Sequence, residues 1–203
     1  MEELLIRILF IISGNFLFLY FFWDRLKEDY TSDFIFSTAF FIITGFILGS
    51  LLASIYFAPY WFWAGFLGVM TGVLYGIKKY KFKVTEITEA LTIAFLPCMM
   101  LYYVFDSIVN KNTVSLFASV VMGLLMILFF ILQKHYRRFT WYRSGRVGFA
   151  GLSVLGLFFL IRAAVAVYFP FVLSFAGRHE VYLSSLVSFI LFMGVFNLSR
   201  GKA

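Results

Sequence analysis

One arginine stands out because it lies inside a long apolar segment. Arg162 is the single charged residue of the run 147–172. A charge at such depth costs about 2.5–3.5 kcal/mol on insertion scales and usually faces a bundle interior or a wet cavity. A guanidinium binds phosphate through two parallel hydrogen bonds, which favours a phosphate site. The alternative is a structural ion pair or a side chain that snorkels to the interface, and both interpretations stay open.

Arg162 needs an anionic partner, and Asp106 is the candidate that the sequence offers. Asp106 lies near the C-terminal end of the run 90–109, whereas Arg162 is about ten residues, or roughly 15 Å, from the end of its own run. Whether the two side chains reach each other stays open at this separation, and they are candidate catalytic residues only if the chain is a lipid transferase. Arg162 would hold phosphate, and Asp106 would do acid–base or electrostatic work.

The other reactive residue types are scattered. Cys98 is the only cysteine and lies in an apolar run, where packing is its expected role. His135 and His179 fall in predicted loops on opposite sides of a membrane, so they cannot share a metal ion. We expect no metal and no other cofactor.

Two short segments interleave cations with aromatic residues, namely KKYKFK at 78–83 and KHYRRFTWYRSGR at 134–146. This pattern can indicate nucleic-acid binding. Beside membrane spans, however, it is typical of cytoplasmic loops that meet anionic lipid headgroups, each cation contributing about 1 kcal/mol. We expect membrane phospholipids as partners, with anionic headgroups at the cytoplasmic face, and no nucleic acid.

The composition indicates which elements position these residues. The chain is 63% hydrophobic and 13% charged, whereas soluble domains carry about 25% charged residues. Its apolar runs are long enough to cross a bilayer core about 30 Å thick. They cover residues 4–23, 34–57, 61–77, 90–109, 113–133, 147–172 and 181–199. We predict an all-α polytopic bundle of seven transmembrane helices in a single transmembrane domain, 1–203, whose first run is a retained helix rather than a signal peptide.

Loop charges orient this bundle. The lysines and arginines of short loops stay cytoplasmic. One set of loops is rich in them: Arg25, Lys27, Lys78, Lys79, Lys81, Lys83, Lys134, Arg137, Arg138, Arg143, Arg146, Arg200 and Lys202. The other set has only Arg7, Lys111 and Arg178. The N-terminus is therefore expected outside and the C-terminus in the cytoplasm. The break at Ala58-Pro59-Tyr60 is the shortest, and a six-span alternative stays open there.

Several segments occur in the order of a known enzyme family. The run WFWAGFLGVMTGVLYGIKKY at 61–80, with KFKVTEITEALTIAFLPCMMLYY after it, resembles prolipoprotein diacylglyceryl transferase. The stretches 44–57 and 142–162 and the tail 182–198 are similar to further segments of that family. The resemblance implies a seven-span fold with the N-terminus outside. It also implies transfer of a diacylglyceryl group from phosphatidylglycerol to a lipoprotein cysteine.

The residues on which that reaction depends are mostly replaced. The family's motif histidine falls on Trp63, its following glycines fall on Ala64 and Gly65, and a motif arginine falls on Leu51. Only Arg162 could match a family arginine. The chain also lacks the family's long outer domain. The resemblance therefore implies a minimal, catalytically degenerate relative in the cell membrane.

The expected function is lipid binding, or service as a subunit or scaffold with another membrane protein. The alternative is a divergent, active diacylglyceryl transferase in lipoprotein modification. Arg162, Trp63, Gly65 and Gly68 are the candidate lipid-binding residues. The glycine pairs Gly45/Gly49 and Gly65/Gly68 also have the spacing that lets two helices approach closely.

Overall fold

The helical prediction is confirmed, because the described part of the chain contains seven helices long and apolar enough to span a membrane. A computed structural model describes residues 2–136, 147–172 and 174–200, with side chains from Leu9 onward. The helices are α1 (Glu2–Leu26), α2 (Ser32–Tyr56), α3 (Trp61–Tyr80), α4 (Val84–Val109), α5 (Thr113–His135), α6 (Phe149–Tyr168) and α7 (His179–Arg200). A helix satisfies its own backbone hydrogen bonds, which a bilayer core cannot do.

The chain reverses between α2 and α3 as the seven-span prediction requires. A single 3₁₀ turn, Ala58–Tyr60, joins the two helices, with Pro59 in its first turn. Proline suits this place because it has no N–H to leave unsatisfied. The six-span alternative is therefore wrong.

Two helix boundaries differ clearly from the predicted runs. Helix α4 begins at Val84, six residues before its predicted run, because charged residues of its first turns are buried against neighbouring segments. Helix α6 ends at Tyr168, four residues early, and its predicted last turn belongs to the α6–α7 connection. Apolar residues continue past the end of α6, so hydropathy alone does not reveal where the helix stops.

Helix α4 lies at the centre of the bundle and contacts α1, α5 and α6. Its buried residues include Ile87, Ile93, Leu96 and Tyr103. One core cluster joins α4 to α3, α5 and α6, and a second joins its first turns to α1 and α2. We name the two ends of the bundle by what they carry. The basic end carries Arg25 and the lysines near the end of α3, and the far end carries the α2–α3, α4–α5 and α6–α7 connections.

Helices α2 and α3 approach each other through glycine. A Cβ on Gly45 would overlap the backbone of Gly68, and one on Gly49 would overlap the carbonyl oxygen of Ala64. A Cβ on Gly65 would meet the side chains of Ser50 and Phe46. The packing interpretation of these glycines is therefore confirmed. Gly65 and Gly68 thus lie in the α2–α3 contact, and their role as lipid-binding residues stays a prediction.

Candidate functional site: a buried arginine cluster and a lateral cleft

Arg162 forms a buried ion pair with Glu180, in the first turn of α7. The Arg162 Nε lies 2.9 Å from the Glu180 Oε1, and the two side chains are 3% and 0% exposed. A carboxylate in a first helical turn is also favoured by the helix dipole. Asp106, the anionic partner that the sequence offered for Arg162, does not pair with it.

Four donors saturate the Glu180 carboxylate. Oε1 accepts from Arg162 and from the Ser184 hydroxyl, one turn further along α7. Oε2 accepts from the Trp63 indole N–H at 2.9 Å and from the Ala176 backbone N–H at 3.1 Å. Two donors on each oxygen occupy the lone pairs of this carboxylate. Glu180 therefore has no free lone pair suited to a general base.

The remaining guanidinium nitrogens of Arg162 hold the α6–α7 connection. Nη1 donates to the Ser174 hydroxyl at 2.9 Å and Nη2 to the Ser174 carbonyl at 2.8 Å. The backbone of Ser174 has φ 75°, a left-handed conformation that is uncommon for residues other than glycine. The Tyr103 hydroxyl lies 3.1 Å from the Ser174 hydroxyl and ties the connection to α4. We call Arg162, Glu180, Trp63, Ser174, Tyr103 and Ser184 the arginine cluster.

Aromatic rings cover the guanidinium. Its central carbon lies 4.0 Å from the ring centroid of Phe62 and 4.7 Å from that of Phe175. Cation–π contacts of this kind strengthen when water is excluded. The cluster as a whole carries one positive and one negative charge. It is therefore neutral, and its hydrogen bonds join α3, α4, α6 and α7, which is the arrangement of a structural clamp.

Asp106 lies outside the arginine cluster, in the last turn of α4. One carboxylate oxygen accepts from the Asn110 amide at 2.7 Å, and the other accepts from Asn112 at 3.1 Å and from the Ser115 hydroxyl. Asp106 is 4% exposed. Among the described residues it forms no ion pair, so its charge is supported only by neutral donors.

The structure has a cavity beside Arg162 and another beside Asp106. The smaller, about 410 Å³, has Arg162 on its wall and is otherwise lined mainly by apolar residues of α5, α6 and the α6–α7 connection. The larger, about 630 Å³, separates α1 and α4 from α2 and α3. We call it the lateral cleft. Both volumes fall within the range of ordinary small-molecule sites, about 300–1,000 Å³.

The lateral cleft is lined almost entirely by apolar and aromatic side chains. It opens on the outer surface of the bundle, because its wall residues Ile11 and Ile47 are 57% and 44% exposed. Its polar lining residues lie at mid-depth and at the far end: Asn15, Cys98, Tyr102, Asp106 and Asn110. Gly14, beside Asn15, widens the cleft, since a Cβ at that position would meet nothing within 4 Å.

A second set of charged residues closes the basic end. Arg25 of α1 pairs with Glu89 of α4 at 2.7 Å, and the same Glu89 oxygen accepts from the Gly148 backbone N–H. Beside this pair, the Tyr30 hydroxyl donates to Glu86 at 2.6 Å, and Lys83 pairs with Glu86 at 2.7 Å. These contacts fix the α1–α2 loop and the start of α6 to the start of α4.

Replacement of Tyr30 by phenylalanine is expected to change how stability depends on pH. Burial and the bond to Glu86 raise the pKa of Tyr30. A group whose pKa is higher in the folded state stabilises that state below its unfolded pKa, about 10, and this contribution is lost as the pH rises through the folded pKa. Tyr30→Phe should therefore cost about 1 kcal/mol near neutral pH and reduce the loss of stability between about pH 8 and pH 11. Denaturant unfolding at both pH values checks this, and an unchanged pH dependence contradicts it.

The structure brings some of the predicted site residues together and separates others. Arg162 and Trp63 converge on Glu180, whereas Asp106 belongs to the lateral cleft, and Gly65 and Gly68 belong to the α2–α3 contact. Sequence reasoning missed Glu180 because it immediately precedes the predicted run 181–199. Within the described residues, no group of three His, Cys, Asp or Glu side chains is placed to hold a metal ion.

Comparisons with protein-family models, characterised proteins and solved structures give no match to this chain. The resemblance to the prolipoprotein diacylglyceryl transferases stays a prediction from the sequence. The structure identifies the chain as a helical, multi-pass membrane protein.

Proposed function

We propose that this protein is a non-catalytic lipid-binding protein of the cell membrane, which holds the acyl chains of a phospholipid in the lateral cleft. The observation that carries the proposal is the cleft itself. It offers about 630 Å³ of mostly apolar space that is open to the surface of a membrane-spanning bundle. Acyl chains are the apolar ligand that surrounds such a surface.

The contacts within the arginine cluster support a role without catalysis. Activation of a thiol requires a base within hydrogen-bond reach, and stabilisation of a phosphate requires an available positive charge. Glu180 already accepts four hydrogen bonds, and the charge of Arg162 is already balanced by Glu180. The residues expected to carry the family's chemistry are thus engaged in holding helices together.

The basic end supports an orientation for the bound lipid. We place this end in the cytoplasm, following the loop charges, and anionic headgroups gather around its lysines. Lys78 and Lys79 lie in the last turn of α3 and Lys81 follows that helix. The polar residues of the lateral cleft lie toward the opposite end, so a lipid in the cleft belongs to the outer leaflet.

Filling the lateral cleft tests the proposal. Gly14→Phe places a ring in open space, whereas Ile12→Phe enlarges a side chain of the same helix that is 63% exposed on the outer surface. Native mass spectrometry of detergent-purified protein should find a co-purified phospholipid on the wild type and on Ile12→Phe. Gly14→Phe should bind it at least about tenfold more weakly. Equal retention by Gly14→Phe contradicts the proposal.

The second candidate function is a divergent lipid transferase, and the 410 Å³ cavity is the observation in its favour. Arg162 borders this cavity, and its wall is otherwise apolar. In this alternative, a phosphate would lie beside Arg162. Incubation of the purified protein with phosphatidylglycerol and a lipobox peptide tests it. Diacylglyceryl transfer that is lost in Arg162→Lys would establish the alternative, and absence of transfer by folded protein supports the non-catalytic function.

A further inference from the structure

We propose that the lateral cleft selects a phospholipid whose headgroup ends in a primary ammonium, of the phosphatidylethanolamine type. This inference rests on the proposed function and adds the class of lipid. It arises from Asp106, which is 4% exposed and lies in the wall of the cleft. Three neutral donors support its negative charge without cancelling it.

The contrast with the smaller cavity shows why the charge matters. There the charge of Arg162 is balanced by Glu180 at 2.9 Å. In the lateral cleft, the described lining residues include one carboxylate and no lysine or arginine. In surroundings of low polarity an unbalanced charge acts strongly on a bound ion. An anionic headgroup is therefore disfavoured at this end of the cleft, and a cationic one is favoured.

The neighbouring polar groups favour a headgroup that donates hydrogen bonds. The Asn110 amide nitrogen donates to Asp106. The Asn110 carbonyl oxygen is therefore left to accept a hydrogen bond. A primary ammonium has three N–H donors, whereas a trimethylammonium has none.

The position of Asp106 suits a lipid whose chains run along the rest of the cleft. Asp106 lies eight residues beyond Cys98 on α4, which is about 12 Å along the helix axis. The Cys98 thiol donates a hydrogen bond to the backbone oxygen of Gly14, at mid-depth in the bundle. With the ammonium at Asp106, the acyl chains extend past Gly14 into the apolar part of the cleft beside Phe18 and Ile42.

Matched lipids test the headgroup preference. Phosphatidylethanolamine, phosphatidylcholine and phosphatidylglycerol with identical acyl chains are titrated into delipidated protein in detergent at low salt, and native mass spectrometry compares their binding. We expect phosphatidylethanolamine to bind about tenfold more tightly than the other two. Asp106→Asn should abolish this preference. The matched control Asp24→Asn, at an exposed carboxylate of α1, should behave as the wild type.

The outcomes separate the headgroup inference from the proposed function. Equal binding of the three lipids by the wild type, or tighter binding of phosphatidylglycerol, overturns the ammonium site and leaves acyl-chain binding intact. A preference that persists in Asp106→Asn overturns it as well. If that variant does not fold, the wild-type comparison of phosphatidylethanolamine with phosphatidylcholine decides. Failure of all three lipids to bind overturns the proposed function.

Discussion

Replacement of Glu180 by glutamine is expected to lower the free energy of unfolding by about 3–5 kcal/mol, because it leaves the Arg162 charge buried without a counter-ion. The glutamine keeps the shape of the side chain and one acceptor, so the loss measures the missing charge rather than a cavity. Thermal unfolding in detergent should show a midpoint lower by roughly 10 °C for a chain of this size. A smaller loss is expected when both charges are removed, as in Arg162→Met with Glu180→Leu.

The control for this prediction is a pair on the surface. Lys27 and Asp24 lie 2.6 Å apart with side chains 40% and 46% exposed. Exposed pairs contribute about 0.2–1 kcal/mol, so Asp24→Asn should hardly change the unfolding midpoint. If Glu180→Gln unfolds at the same temperature as Asp24→Asn, the arginine cluster is not the clamp described above.

A methyl group at Gly68 is expected to separate α2 from α3. The added Cβ would overlap the backbone carbonyl of Gly45, and a backbone carbonyl cannot rotate away as a flexible side chain can. We expect Gly68→Ala to cost about 1–3 kcal/mol, although alanine is the better helix former. Chemical denaturation in detergent micelles gives this free energy.

Gly123 provides the matched control for Gly68. It also lies inside a helix, but a Cβ there would come no closer than 3.9 Å to the Met100 side chain. Gly123→Ala is therefore expected to leave stability unchanged or to raise it by up to about 1 kcal/mol. Equal effects of the two substitutions would mean that α2 and α3 do not pack through Gly68.

Features that depend on single segments could be predicted from the sequence. Hydropathy and run length are properties of each helix alone, and they predict seven spans correctly. The spacing of Gly45 and Gly49 is likewise local to one helix, and it marks the face that meets α3. Arg162 is conspicuous because no other charge lies in its run.

Features that depend on contacts between segments could not be predicted in the same way. Glu180 resembles a loop charge because it precedes its apolar run, yet α7 begins at His179 and buries it. Glu86 and Glu89 likewise resemble interfacial charges, although both are buried against cations or donors of α1 and its loop. Such a charge is buried when partners distant in sequence neutralise it, and hydropathy contains no information about those partners.

The lateral cleft has no signal in the sequence at all. Its wall residues, such as Phe46 and Phe95, are apolar residues of apolar helices and look the same as core residues. Whether they contact one another or border a cleft depends on how α2 and α3 lie relative to α1 and α4. The open space beside Gly14 is likewise visible only in the structure.

A density map of the protein in lipid nanodiscs tests the central claim most directly. We expect acyl-chain density inside the lateral cleft, between α1 and α4 on one side and α2 and α3 on the other, with the headgroup near Asp106. The arginine cluster should appear with Arg162 bonded to Glu180 and without a phosphate. A cleft closed by protein side chains, or lipid density confined to the outer surface of the bundle, would contradict the account.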